Sequence, residues 1–91
     1  MIEKELIVLN KLGLHARSAA TLVKEAEKFK SSIFIFKDGR EVNAKSVMGL
    51  LLLAAECGSK LIVRISGPDE RSAMEAIGRL FRRHFDEDDC S

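Results

Sequence analysis

Short alternating runs and two longer stretches of helical periodicity divide the chain. Ile2 to Leu9 ends in Leu6-Ile7-Val8-Leu9 and predicts a first strand. Asn10 to Leu14 reads as a loop, with Gly13 permitting a sharp turn. From His15 to Phe29, Ala19, Leu22, Val23, Ala26 and Phe29 fall at helical spacing. Arg17, Ser18, Thr21, Lys24, Glu25 and Lys28 cover the other side, which makes an amphipathic helix. Ser32 to Lys37 and Arg40 to Asn43 predict two strands joined by Asp38-Gly39, a two-residue hairpin signal. Ser46 to Glu56 predicts a short helix with Ser46 as N-cap and Gly58 as its stop. Lys60 to Ser66 is a further strand. Gly67-Pro68-Asp69-Glu70 opens a last helix, Pro68 suiting its first position. Its buried stripe is Ala73, Met74, Ile77, Leu80, Phe81 and Phe85.

The order βαββαβα predicts an α+β domain, a four-stranded antiparallel sheet covered on one face by helices. The 91 residues suit one such domain, placed at 1–85. Residues 86–91, with Asp86-Glu87-Asp88-Asp89, are expected to form a frayed, solvated, flexible acidic tail. Fifteen basic and 14 acidic side chains give a net charge of +1, which names no partner and argues against nucleic-acid binding by charge. Cys57, Cys90, His15 and His84 lack metal-ligand spacing, so neither a metal nor another cofactor is expected. The two cysteines read as reduced thiols, with a Cys57–Cys90 disulfide the less favoured alternative because Cys90 lies in the tail. No apolar run approaches the ~18 residues of a membrane span. The polar start Met1-Ile2-Glu3-Lys4-Glu5 does not read as a signal peptide, so a cytoplasmic location is expected, without membrane insertion.

The residue that carries chemistry is His15, at the start of the first helix. Unpaired amides and the dipole make a helix N-terminus an anion site. The amides of Ala16 and Arg17 are placed to meet a phosphate on His15, and the Arg17 guanidinium to add charge-assisted hydrogen bonds. The positive helix end favours a neutral, nucleophilic imidazole, suited to reversible phosphoryl transfer. Taken alone, a histidine at a helix start is more often a cap or surface residue.

The surrounding residues change that balance. Asn10-Lys11-Leu12-Gly13-Leu14-His15-Ala16-Arg17-Ser18-Ala19-Ala20 resembles the active-site segment of the bacterial HPr family. Asn43-Ala44-Lys45-Ser46-Val47-Met48-Gly49-Leu50-Leu51 looks like the family's regulatory serine region. The resemblance spans about Ile2 to Phe85 and implies an open-faced β-sandwich. It implies that His15 takes a phosphoryl group from Enzyme I, derived from phosphoenolpyruvate, and passes it to an Enzyme IIA-type acceptor. Arg17 would stabilise the phosphate. Ser46 would be phosphorylated by a dedicated kinase/phosphorylase, with a transcriptional regulator as a further partner. The implied docking surface comprises Ala16, Ala20, Lys24, Lys45, Val47, Met48 and Leu51, while Leu50, Leu53 and Ala54 are expected in the core. The family usually has proline where this chain has Ser18, which should cost rigidity but bring a hydroxyl near the phosphate.

Two other readings compete. One is a mainly regulatory HPr-like interaction module of nitrogen or catabolite-control type. The aliphatic run Leu50 to Ala55 looks somewhat closer to nitrogen-related homologues. The other is a ferredoxin-like RNA-binding domain with Phe34 and Phe36 as stacking residues. Core packing explains those phenylalanines more simply, and aromatics are only 5% of the chain, so no nucleic-acid partner is expected. Independent enzyme activity is not expected, because His15 has no acid–base partner near it in sequence. The chain reads as a monomeric relay protein with a transient phosphohistidine.

Overall fold

The computed structural model describes residues 1–90. Strands β1 (Ile2–Ile7), β2 (Ser32–Lys37), β3 (Arg40–Asn43) and β4 (Lys60–Ser66) form one antiparallel sheet in the order β1-β4-β2-β3. Helices α1 (Ala16–Ala26), α2 (Val47–Leu52) and α3 (Glu70–Arg82) complete the βαββαβα order. Asp38 and Gly39 both have positive φ, as the two-residue hairpin between β2 and β3 requires.

Alternation along the central strands sorts the faces. Ile33, Ile35, Leu61, Val63 and Ile65 point into the core and are almost fully buried. Onto them pack Ala19, Leu22 and Ala26 of α1 and Ala73, Ile77, Leu80 and Phe81 of α3. Burying each large side chain contributes about 1.5–3 kcal/mol. Phe34 and Phe36 lie on the opposite, uncovered face and are only half-buried, so they are not core residues. The Arg64 guanidinium sits 4.5 Å from the centre of the Phe36 ring.

The element boundaries depart from the periodicity in informative ways. Helix α1 ends at Ala26, although Phe29 still packs against the core. Helix α2 stops at Leu52, because Ala54 turns left-handed and Ala55 gives its carbonyl to the Leu14 amide. Ala54 is therefore exposed, whereas Leu50 and Leu53 are buried. Pro68 precedes α3 rather than opening it, since Asp69 is the N-cap. The Asp69 carboxylate turns away from its own helix. It accepts the amides of Lys30 and Ser31 and the Ser31 hydroxyl, tying the head of α3 to the approach to β2. Ser31 in turn lies where a Gly67 side chain would stand.

Beyond α3 the chain reverses its hand. His84, Phe85 and Asp86 have φ of 56°, 54° and 57°. Phe85 is therefore not part of the α3 stripe, yet it is buried and meets Phe81 edge-on at 4.9 Å. No helix among the described residues is long and apolar enough to cross a membrane.

Candidate functional site

Asn10 builds the loop ahead of α1. Its side chain is wholly buried, and Nδ2 donates to the Gly13 carbonyl at 2.7 Å. Gly13 takes φ +70°, and a Cβ there would run into the carbonyl oxygen of Ala55. Leu14, buried, donates its amide to that same oxygen at 2.9 Å. The backbone is thus fixed immediately before His15.

His15 is the N-cap of α1 with extended φ and ψ. Its amide donates to Ser18 Oγ at 3.0 Å, and its carbonyl accepts the Ala19 amide at 2.8 Å. The ring Nδ1 accepts the Arg17 amide at a long 3.4 Å. The Ala16 amide has no partner among the described residues. Nδ1 therefore keeps its lone pair toward the first turn of the helix, where orphan N–H groups and the dipole favour an anion.

Ser18 does not lie on the outer side of α1. It is fully buried, and its hydroxyl also donates to the Gly13 carbonyl at 2.8 Å. That hydroxyl is spent on the loop and is not presented to a phosphate. Rigidity that a proline ring would supply comes here from two hydrogen bonds.

The other ring nitrogen meets a residue distant in sequence. Nε2 of His15 lies 3.0 and 2.9 Å from the two carboxylate oxygens of Glu87. With Nδ1 accepting, Nε2 carries the proton and donates it to the carboxylate. The same carboxylate accepts Arg17 Nε at 3.0 Å and Asn10 Nδ2 at 2.9 Å. Burial works to raise the Glu87 carboxyl, but hydrogen bonds from His15, Asn10 and Arg17 outweigh it and hold the group below the usual carboxylate range. His15 and Arg17 thus come together as the sequence predicts, around a partner that the sequence reading leaves in the tail.

That tail is docked, not frayed. The Lys11 amide donates to the Asp88 carbonyl at 2.7 Å, and the Cys90 amide to the Leu9 carbonyl at 3.0 Å. Cys57 and Cys90 form a disulfide with their Cα atoms 5.9 Å apart, so they are not the reduced thiols expected. Asn10, Glu87 and the cysteine pair escape a linear reading, since Glu87 stands 72 residues from His15. An open cleft of about 640 Å³ beside the cluster is bordered by Lys11, Leu12, Arg17, Thr21 and Glu87. Among the described residues, no group of three or more His, Cys, Asp or Glu side chains is placed to hold a metal ion.

The remaining candidate residues surround this centre. Ala16 and Lys24 are exposed and Ala20 half-buried on α1. Ser46 caps α2, its Oγ accepting the Gly49 amide at 3.0 Å. Met48 is 70% exposed, and Leu51 and Leu52 extend its apolar patch, whereas Val47 packs partly on the core. Lys45 Nζ donates to the Phe29 carbonyl at 2.8 Å, so its charge is tethered.

Residues 2–83 match the family model described as the PTS HPr component phosphorylation site. The chain is 56% identical over 88 residues to the phosphocarrier protein HPr of Xylella fastidiosa strain 9a5c, covering 97% of this chain and 99% of the relative. It is 53% identical over 77 residues to the HPr-like protein Crh of Halalkalibacterium halodurans, covering 85% of this chain and 92% of the relative. The crystal structure of HPr-C-His from Thermoanaerobacter tengcongensis superposes with a TM-score of 0.93 at 41% identity, covering 97% of this chain and 99% of that one.

Proposed function

Because the chain belongs to the HPr family of phosphotransferase-system phosphocarriers, we propose that His15 is its phosphoryl acceptor and donor, and that Nδ1 is the reacting atom. The observation that carries this reading is the placement of Nδ1, which accepts the Arg17 amide at the open start of α1. Nδ1 keeps its lone pair toward the helix start, and Nε2–H is turned to Glu87.

In the forward step Nδ1 attacks the phosphorus held by Enzyme I. The donor's P–N bond breaks as the new one forms. The His15 ring keeps its Nε2 proton throughout, so the phosphorylated ring is cationic and leaves readily in the next transfer. Amides of the first turn and the Arg17 guanidinium meet the phosphoryl oxygens. Arg17 is 72% exposed and able to exchange Glu87 for phosphate. The acceptor is an Enzyme IIA-type domain, docked on Ala16, Ala20 and Lys24 of α1 and on Met48 and Leu51 of α2. A thioether in such a patch adapts to more than one partner. The role is that of a covalent relay in the cytoplasm, not of an enzyme with its own turnover.

Ser46 adds a regulatory site. Its hydroxyl already accepts an amide at the head of α2, so a phosphate there keeps that acceptor and adds negative charge beside the docking patch. The kinase/phosphorylase and a transcriptional regulator are the partners this implies. Likeness to Crh, the catabolite repression HPr of Bacillus subtilis, supports a second reading, a mainly regulatory module. Incubation with Enzyme I and phosphoenolpyruvate separates the two. The relay gives an acid-labile, base-stable phosphate on His15, lost in His15→Ala with the fold retained. Labelling that survives this substitution sinks the assignment, and a protein never labelled that still binds a regulator supports the module.

A further inference from the structure

We propose that the Cys57–Cys90 pair is a redox modification site that gates the imidazole. With the disulfide closed, Glu87 is held on His15 and Arg17. With it open, the carboxylate leaves them. The effect on transfer rests on the phosphocarrier reading above, but the gating of the contact does not.

Geometry makes the segment a strap fixed at both ends. Phe85, two residues before Glu87, is buried against Phe81. Cys90, three residues after it, is bonded to Cys57. Both anchors lie within roughly 10 Å of chain contour from Glu87. Such short tethers give the carboxylate a high effective concentration at the ring. Opening the disulfide removes the covalent anchor and leaves the far end of the strap held only by the Lys11–Asp88 and Cys90–Leu9 backbone hydrogen bonds.

Backbone conformation favours that release. His84, Phe85 and Asp86 are consecutive non-glycine residues in the left-handed region. Each carries a conformational cost there, which the docked strap must offset.

The chemistry is accessible. Cys57 is exposed in the loop between α2 and β4, and Cys90 is half-buried. A dithiol reductant supplies two electrons. Its thiolate attacks one cysteine sulfur, breaks the Sγ–Sγ bond and expels the other cysteine as thiolate. The second reductant thiol then closes the reductant's own disulfide and expels the first cysteine. The two protons of the dithiol end on Cys57 and Cys90. A disulfide in a reducing compartment is typically of this transient, sensing kind.

In the closed state Arg17 faces a carboxylate where an incoming phosphoryl group needs it, and a like charge stands beside the ring. Oxidation therefore slows phosphoryl acceptance by roughly tenfold, equivalent to about 1.4 kcal/mol on the barrier.

The test compares the air-oxidised full chain, with its disulfide mapped by mass spectrometry, with the same chain reduced by dithiothreitol and freed of reductant. Initial rates of labelling by Enzyme I and phosphoenolpyruvate are measured beside imidazole nitrogen chemical shifts of His15. The reduced chain and Cys90→Ser should label about equally fast, and the oxidised chain roughly tenfold slower. Glu87→Gln, with its disulfide intact, should lose the redox dependence. Equal rates in the oxidised and reduced chains overturn the proposal, as does failure of the disulfide to form. If no form is labelled, the phosphocarrier reading fails instead. The gate is then judged by the His15 shifts, which must change on reduction in the parent and stay fixed in Glu87→Gln.

Discussion

The Ser18 hydroxyl accepts the His15 amide at 3.0 Å and donates to the Gly13 carbonyl at 2.8 Å, so one buried side chain couples the loop to the cap. Ser18→Ala removes both bonds and should cost at least about 1 kcal/mol. That corresponds to a fall of about 4–8 °C in Tm for a domain of this size, read by thermal melts. Ser18→Pro gains about 0.4–1 kcal/mol from a stiffer unfolded chain. It loses about 0.5–1.5 kcal/mol with each hydrogen bond, so a net loss is expected. A Tm above the parent's would show that the proline ring outweighs the hydroxyl here.

Gly13→Ala should be the more damaging change. The left-handed backbone alone costs a non-glycine residue about 1–3 kcal/mol. The added Cβ also meets backbone atoms of Ala55 and Glu56, which cannot rotate aside as a side chain would. Denaturant melts should show the loss, and His15 labelling should fall even in the fraction still folded. Unaltered labelling in that fraction would mean that the loop does not set the ring's position.

Asp69 contributes to the acid sensitivity of the fold. Hydrogen bonds from the Ser31 hydroxyl and the Lys30 amide hold its carboxyl below the usual carboxylate range. Its folded form is thus more acidic than its unfolded form. The linked stability is present in full above the unfolded value and is lost as pH falls through the folded one. Denaturation midpoints should stay flat near neutrality and drop below about pH 4. Asp69→Asn should flatten that drop, and an equally steep acid limb in the variant would move the cause to other carboxylates.

Met48→Glu should separate stability from recognition. At 70% exposure the thioether contributes little to the core, so stability should change by less than about 0.5 kcal/mol. The KM for the carrier as substrate of Enzyme I should rise about tenfold, the scale for losing a central contact of a docking patch. An unchanged KM would place the docking surface elsewhere.

Local patterns made most of the fold legible. Ile33 and Ile35 sort onto one face by strand period, Asp38-Gly39 marks its own turn, and Leu22 and Ala26 repeat at helical spacing. Both β2 and β3 fall where alternation puts them. Where the reading went astray, a tertiary contact outweighed a local signal. Periodicity carried α2 on to Glu56, but the Leu14 amide claims the Ala55 carbonyl and the helix ends first. At the candidate site, His15 and Arg17 were legible because they are neighbours on one turn. Glu87 was not, because nothing in a run of four acids shows which one folds back, and the Cys57–Cys90 pairing depends on a terminus whose docking no local signal marks.

Handedness beyond Arg83 decides where that acidic run travels. Had α3 continued right-handed, the seven residues from His84 to Cys90 would have advanced about 10 Å along its axis. Three residues of opposite hand turn this stretch into a hook whose tip returns to the end of the first strand. Direction of travel, rather than charge content, makes these acids intramolecular neighbours of an imidazole instead of solubilising ornament.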